Sequence, residues 1–151
     1  MSGPYLFWPD HDAIAKREDH VAAMGPNPNP HARGYWAYDR GAALHLMELC
    51  GRPVPFYNLY AREPKQWSRE RAARAAARFM KAYAHRAPAV LMLGIKVCSA
   101  FGVTRPEWLR TYDLGGGMEG VAVPHPSGLN RWYNDPDNRG MAEMVLRDRC
   151  G

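Results

Sequence analysis

Four short apolar runs alternate with longer stretches of helical pattern, and this alternation most constrains the fold of the chain. The runs cover residues 21–24, 54–59, 89–93 and 120–123. Short runs that are apolar throughout are typical of strands buried on both faces. Strands that alternate with helices predict a parallel sheet with helices on both sides. We therefore predict an α/β fold, a three-layer α/β/α sandwich with a four-stranded parallel sheet.

Helical patterns fill the intervals between the predicted strands. The first covers residues 39–50 and ends at Gly51, and the longest begins at the capping residue Ser68 and runs to about residue 85. The apolar stripe of the long helix is Ala72, Ala75, Ala76, Phe79, Met80 and Tyr83, opposite a basic face of Arg69, Arg71, Arg74, Arg78 and Lys81. We interpret that basic face as solvated. Shorter helices are predicted over 95–101 and 138–149, a turn over 107–111, and a mobile connection over 115–117.

The bulk composition favours one globular domain. The chain has 151 residues, of which 46% are hydrophobic and 23% charged, so we expect a single domain over 1–151 with a lead-in segment over 1–20. The formal charge of +5 is compatible with a polyanionic partner. No apolar stretch reaches the roughly 20 residues that span a bilayer, and the first residues lack a signal-peptide pattern. An intracellular, cytoplasmic location without membrane association is predicted.

The cysteine and histidine spacing argues against a metal site. Cys50, Cys98 and Cys150 are odd in number and far apart, which disfavours a disulfide framework and thiolate ligation of zinc or an iron–sulfur cluster. The six histidines lack the spacing of a helical metal site. We therefore expect neither a metal nor another cofactor.

Polar loops follow all four predicted strands, over residues 25–36, 58–63, 94–98 and 124–132. The carboxyl ends of parallel strands meet at one edge of a sheet, where ligands bind. The loops bring to this edge Asn27, Asn29, Asn58, His125, Ser127, Asn130 and Arg131. Amides read the planar edge of a base, aromatic side chains stack on it, and a histidine stabilises a developing negative charge. The set suits recognition of a nucleobase and cleavage of its bond to sugar.

Four segments of the chain resemble motifs of the uracil-DNA glycosylase superfamily. Gly25-Pro26-Asn27-Pro28 resembles the first motif of the mismatch-specific and single-strand-selective branches, and His125-Pro126-Ser127-Gly128-Leu129-Asn130-Arg131 resembles the second motif. Phe56-Tyr57-Asn58-Leu59 resembles the segment that reads the base, and residues 88–94 resemble the third strand with its following glycine. The resemblance covers roughly residues 20–150, in the order of the family.

The resemblance implies hydrolysis of an N-glycosidic bond in DNA, with the base flipped out of the stack. It makes Asn27 the residue that positions water and His125 the residue that stabilises the departing base. The implied base-binding residues are Pro26, Pro28, Asn29, Asn58 and an aromatic stacking partner, either Tyr35, Trp36 or Tyr38. The implied DNA-binding residues are Ser127, Gly128, Leu129, Asn130 and Arg131, with Leu129 as a wedge in the gap left by the base. A monomer is expected, acting in base-excision repair in a bacterial or phage setting.

Two departures from the family pattern leave the substrate and the reaction open. Asn29 stands where the family usually has glycine or tyrosine, so the selectivity of the pocket for a base is not determined. Asn27 cannot act as a general base, so the enzyme would be slower than one with aspartate there. The alternatives are a glycosylase-like module that binds a nucleobase, nucleotide or DNA without cleavage, and an enzyme of phage DNA base modification.

Overall fold

The computed structural model describes residues 22–25, 40–52, 56–58, 68–83, 89–126 and 130–150. The elements in this part of the chain are β1 (Ala22–Gly25), α1 (Arg40–Cys50), β2 (Phe56–Asn58), α2 (Arg69–Tyr83), β3 (Ala89–Leu93), α3 (Ile95–Ala100), β4 (Thr111–Gly115), β5 (Met118–Val123), a 3₁₀ helix (Arg131–Asn134) and α4 (Pro136–Cys150). The strand predicted over 89–93 has the observed bounds of β3. The predicted strand over 120–123 begins earlier, at Met118.

The predicted fold class is wrong, because the sheet in the described part of the chain is mixed and has five strands. Its order is β2-β1-β3-β5-β4. The β2, β1, β3 and β5 strands pair in parallel, whereas β4 runs antiparallel to β5, with Thr111 opposite Val121. The four-stranded, all-parallel sheet of the prediction therefore omits the antiparallel edge strand.

The glycine triplet explains the missed strand. It was predicted to be a mobile connection, but Gly115, Gly116 and Gly117 have φ values of 85°, 62° and 81° and turn the chain from β4 into β5. A two-residue hairpin turn favours positive φ at both central residues, which glycine adopts without strain. Tyr112 and Leu114 alternate with exposed neighbours along β4 and pack their partly buried side chains against the core.

Helices cover both faces of the sheet and form two hydrophobic clusters. In the first hydrophobic cluster, on one face, α2 and α3 pack on Val90, Met92, Met118 and Ala122. In the second hydrophobic cluster, on the other face, α1 and α4 pack on Ala89, Leu91, Leu93, Val121 and Val123. Alternate residues of β3 and β5 thus serve opposite faces, as the pleat of a strand requires.

The long helix α2 bears out the predicted cap and most of the predicted stripe. The Arg71 backbone N–H donates to Ser68 Oγ at 3.3 Å, which satisfies one of the amides left unpaired at a helix start. Ala72, Ala75, Ala76 and Phe79 are buried, and Met80 packs at the edge of the same cluster.

Among the described residues, no helix has the length and apolar character needed to cross a membrane.

Candidate functional site

An open cavity lies at the carboxyl ends of β3 and β5. Its volume is about 390 Å³, within the roughly 300–1,000 Å³ typical of small-ligand sites. Its described lining is Leu93, Gly94, Ile95, Lys96, Trp108, His125 and Asn130. The cavity therefore occupies the edge at which the sequence placed its strand-end loops.

His125 enters this cavity beside Gly94, on the neighbouring strand end. The Gly94 N–H donates to the Val123 carbonyl at 2.8 Å, which joins the two strand ends. Gly94 has a φ of 93°, a conformation that L side chains rarely adopt. A Cβ atom at Gly94 would lie 3.5 Å from His125 Cβ and 3.9 Å from Cδ2 of its ring, so a side chain at this position would abut the imidazole.

Side chains hold three successive backbone carbonyls of the histidine loop. The Tyr133 hydroxyl donates to the Pro124 carbonyl at 2.6 Å, Asn130 Nδ2 donates to the His125 carbonyl at 2.8 Å, and His45 Nδ1 donates to the Pro126 carbonyl at 3.0 Å. We call this set the carbonyl clamp. Because the clamp binds only main-chain atoms of the loop, it fixes the backbone that carries His125.

Asn130 has a structural role in the loop in addition to its place in the cavity wall. Besides donating to His125, it accepts the Trp132 backbone N–H on Oδ1 at 3.0 Å and so caps the 3₁₀ helix. Both polar atoms of its amide are thus bonded to neighbouring backbone. The predicted contact of Asn130 with DNA stays a prediction. Arg131, which follows it, is exposed at the first position of the 3₁₀ helix.

Tyr133 supports the loop from within the second hydrophobic cluster. Its ring is buried and meets His45 edge-on, with ring centroids 4.8 Å apart. Burial, with a smaller contribution from the neighbouring Cys50, raises the pKa of the Tyr133 hydroxyl above its ordinary value. The hydroxyl therefore stays protonated at physiological pH and remains a donor to the Pro124 carbonyl.

Replacement of Tyr133 by phenylalanine is expected to destabilise the fold by about 1–3 kcal/mol, because it leaves the buried Pro124 carbonyl without its donor. Urea unfolding measures the change. Tyr112→Phe is the matched control, since the Tyr112 hydroxyl accepts the Glu107 N–H in an exposed bond and its loss should cost less than about 0.5 kcal/mol. An equal loss of unfolding free energy in the two variants would contradict the role of Tyr133 in the carbonyl clamp.

Trp108 is a cavity residue that the sequence did not single out. It lies in the segment predicted as a turn, packs against the first hydrophobic cluster and lines the cavity. Leu109, which follows it, has a φ of 69°, a costly conformation for a branched side chain. A 2.6 Å bond from the Leu109 N–H to the Ala122 carbonyl holds this strained turn against β5. A tryptophan in the predicted turn between the helix over 95–101 and the strand over 120–123 was the available signal.

The start of α3 contributes Ile95 and Lys96 to the lining of the cavity. Ile95 is 61% exposed and Lys96 is also on the surface. An apolar and a cationic side chain therefore flank the cavity opening, next to the aromatic ring of Trp108. Such a wall suits a ligand with a flat apolar face and a negative charge nearby.

Asn58 lies at the end of β2, and the structure describes only its backbone. In register it pairs with Gly25 at the end of β1. Three strand spacings, roughly 14 Å, separate β2 from β5 in the sheet order. A ligand that contacts both Asn58 and His125 must therefore extend across the strand ends, and their joint contact with one base stays a prediction.

The other predicted site residues lie outside the described part of the chain. They are Pro26, Asn27, Pro28, Asn29, Tyr35, Trp36 and its alternative Tyr38 in the first loop, and Ser127, Gly128 and Leu129 in the histidine loop. Their assigned roles in positioning water, stacking on the base and binding DNA remain predictions.

Within the described residues, no three or more histidine, cysteine, aspartate or glutamate side chains cluster so as to hold a metal ion. No charged side chain of that part is buried either.

No protein-family model and no curated protein matches the chain. The assignment of function therefore depends on the motifs and on the geometry of the cavity.

Proposed function

We propose that the protein is a DNA glycosylase that hydrolyses the N-glycosidic bond of uracil or a related deaminated or modified base. The observation that carries the proposal is the position of His125, in the wall of a ligand-sized cavity and on a loop clamped at three successive carbonyls. The motifs around Asn27, Asn58 and His125 specify the reaction class by their resemblance to the superfamily.

His125 is the residue that stabilises the departing base in this proposal. Cleavage of the bond to the sugar leaves the electron pair on the base, whose carbonyl oxygen then gains negative charge. An imidazole N–H directed at that oxygen lowers the barrier, because the interaction is stronger in the transition state than in the bound substrate. The carbonyl clamp makes this donor preorganised, so little reorganisation accompanies the reaction.

Trp108 and Lys96 support the choice of a nucleic-acid substrate. The Trp108 ring in the cavity wall offers a surface on which a flipped base can stack. Lys96 at the rim can approach a phosphate of the same nucleotide, and Arg131 is exposed just beyond the loop. The formal charge of +5 favours association with a polyanion. In the proposed reaction, Asn27 would position the attacking water.

Incubation of the purified chain with uracil-containing oligonucleotides, followed by alkaline cleavage, tests the proposal. The substrates are single strands and duplexes with uracil opposite guanine or adenine, together with strands carrying other deaminated bases. We expect base release in at least one context, without added metal. The His125→Ala chain, purified in parallel, controls for glycosylases of the expression host.

Intact strands at enzyme excess in every context would overturn the proposal. Calorimetric titration with free bases and nucleotides then separates the alternatives. Binding without base release would favour a nucleobase-binding module of the same architecture.

A further inference from the structure

The carboxyl-terminal ends of α1 and α4 bring two cysteines together. Cys50 is the last residue of α1 and Cys150 the last residue of α4. Their side chains lie close enough for each to shift the pKa of the other, although 100 positions of sequence number separate them. Both belong to the second hydrophobic cluster. The number and spacing of the cysteines in the sequence argued against a disulfide framework, and they could not show this contact.

Arginines surround the two thiols. Arg52 Nη1 donates to the Cys150 carbonyl at 2.8 Å. Arg147 donates to the carbonyls of Leu49 and Glu48 at the end of α1, at 3.3 and 3.2 Å. These bonds tie the two helix ends together and place positive charge beside sulfur atoms that would otherwise face two negative helix termini.

The two thiols differ in acidity and in exposure. The hydrogen bond from Cys50, with the charges of Arg52 and Arg149, lowers the pKa of the Cys150 thiol. The same hydrogen bond and burial raise the pKa of Cys50, which stays protonated. Cys150 is also the more exposed residue, at 8% against 3% for Cys50. The lowered pKa makes Cys150 the more readily oxidised thiol of the pair, with Cys50 in place to resolve it.

We propose that Cys50 and Cys150 form an oxidative modification site, at which a hydroperoxide converts the two thiols into an intramolecular disulfide. The Cys150 sulfur attacks the terminal oxygen of the hydroperoxide, so that an S–O bond forms, the O–O bond breaks and an alkoxide leaves, or hydroxide where the oxidant is hydrogen peroxide. The Cys50 sulfur then attacks the Cys150 sulfenic acid, so that an S–S bond forms, the S–O bond breaks and the hydroxyl group leaves as water with the Cys50 proton. The two thiols lose two electrons in total, and the peroxide oxygen atoms gain them.

Cys98 provides an internal control in the same chain. It lies within α3 and is fully buried, and burial raises the pKa of its thiol to about 12. Its thiol donates to the Met92 carbonyl at 3.8 Å, and it packs in the other hydrophobic cluster. A thiol that is protonated and buried reacts slowly with peroxide.

The test treats the reduced full-length chain with hydrogen peroxide, blocks the remaining thiols with an alkylating reagent and maps the digested peptides by mass spectrometry. Of the three thiols, we expect two to disappear together, as one Cys50–Cys150 cross-link in the monomer. The midpoint of thermal unfolding should rise by on the order of 10 °C, because the bond closes a loop of about 100 residues. A reducing agent should reverse both changes.

Single substitutions separate the roles of the cysteines. Cys98→Ala should leave the cross-link unchanged, whereas Cys50→Ala should abolish it and leave Cys150 as a sulfenic acid that a dimedone reagent traps. Three thiols that survive peroxide at a dose that oxidises glutathione completely would overturn the proposal. Oxidation of Cys98 at the rate of Cys150, or cross-links only between chains, would overturn it as well.

Discussion

Replacement of His125 by alanine is expected to lower the rate of base release by roughly 10²–10³-fold, the usual cost of losing one donor to a developing anion. The midpoint of thermal unfolding should stay near that of the unaltered chain, because the carbonyl clamp acts on the loop backbone and keeps its bonds. Single-turnover kinetics on a uracil-containing strand measure the effect, since they report the chemical step apart from product release.

His125→Gln distinguishes the chemical role from a packing role. Glutamine keeps an N–H donor of similar reach, so we expect a rate between those of the alanine variant and the unaltered chain. The binding constant for the uracil-containing strand should change by less than the rate does in both variants. A rate for His125→Ala within twofold of the unaltered chain would rule out His125 as the residue that stabilises the leaving base.

Replacement of Phe79 by alanine is expected to reduce the free energy of unfolding by about 3–5 kcal/mol. Phe79 is 1% exposed at the centre of the buried face of α2, and its ring meets Phe101 edge-on with centroids 6.0 Å apart. Truncation removes this contact and leaves a cavity between α2, α3 and the sheet. The loss is a large fraction of the roughly 5–15 kcal/mol that stabilises a typical domain.

Arg78→Ala is the matched control for this prediction, because the neighbouring position on the same helix is exposed. It should change the free energy of unfolding by less than about 0.5 kcal/mol. Urea unfolding of the two variants beside the unaltered chain gives both values. A Phe79→Ala midpoint equal to that of Arg78→Ala would contradict the packing of α2 on the sheet.

Local patterns were sufficient where neighbouring residues decide the structure. The continuous run of Ala89–Leu93 became the central strand β3 with its predicted bounds, because an apolar run of that length is buried in any packing. The cap at Ser68 and the stripe through Phe79 followed from helical periodicity in the same way. Both features depend on residues a few positions apart.

Local sequence patterns could not predict the edge strand β4. Its residues Thr111–Gly115 alternate between exposed and half-buried positions, and its apolar content is low. The strand exists because the glycine turn returns the chain alongside β5, which supplies the hydrogen bonds. Without knowledge of the partner strand, the glycine triplet predicts only a flexible connection.

The sequence by itself determined the helices and the parallel strands β1, β2, β3 and β5, but not the edge strand β4, and it placed the histidine loop at the carboxyl edge of the sheet. Only the tertiary structure decided that Trp108 shares the cavity with His125, that Tyr133, Asn130 and His45 clamp three successive carbonyls, and that Cys50 meets Cys150. The physical reason is the range of the interactions. Periodicity and capping act within a few residues, whereas the clamp and the thiol contact depend on how α1, α4 and the sheet pack together.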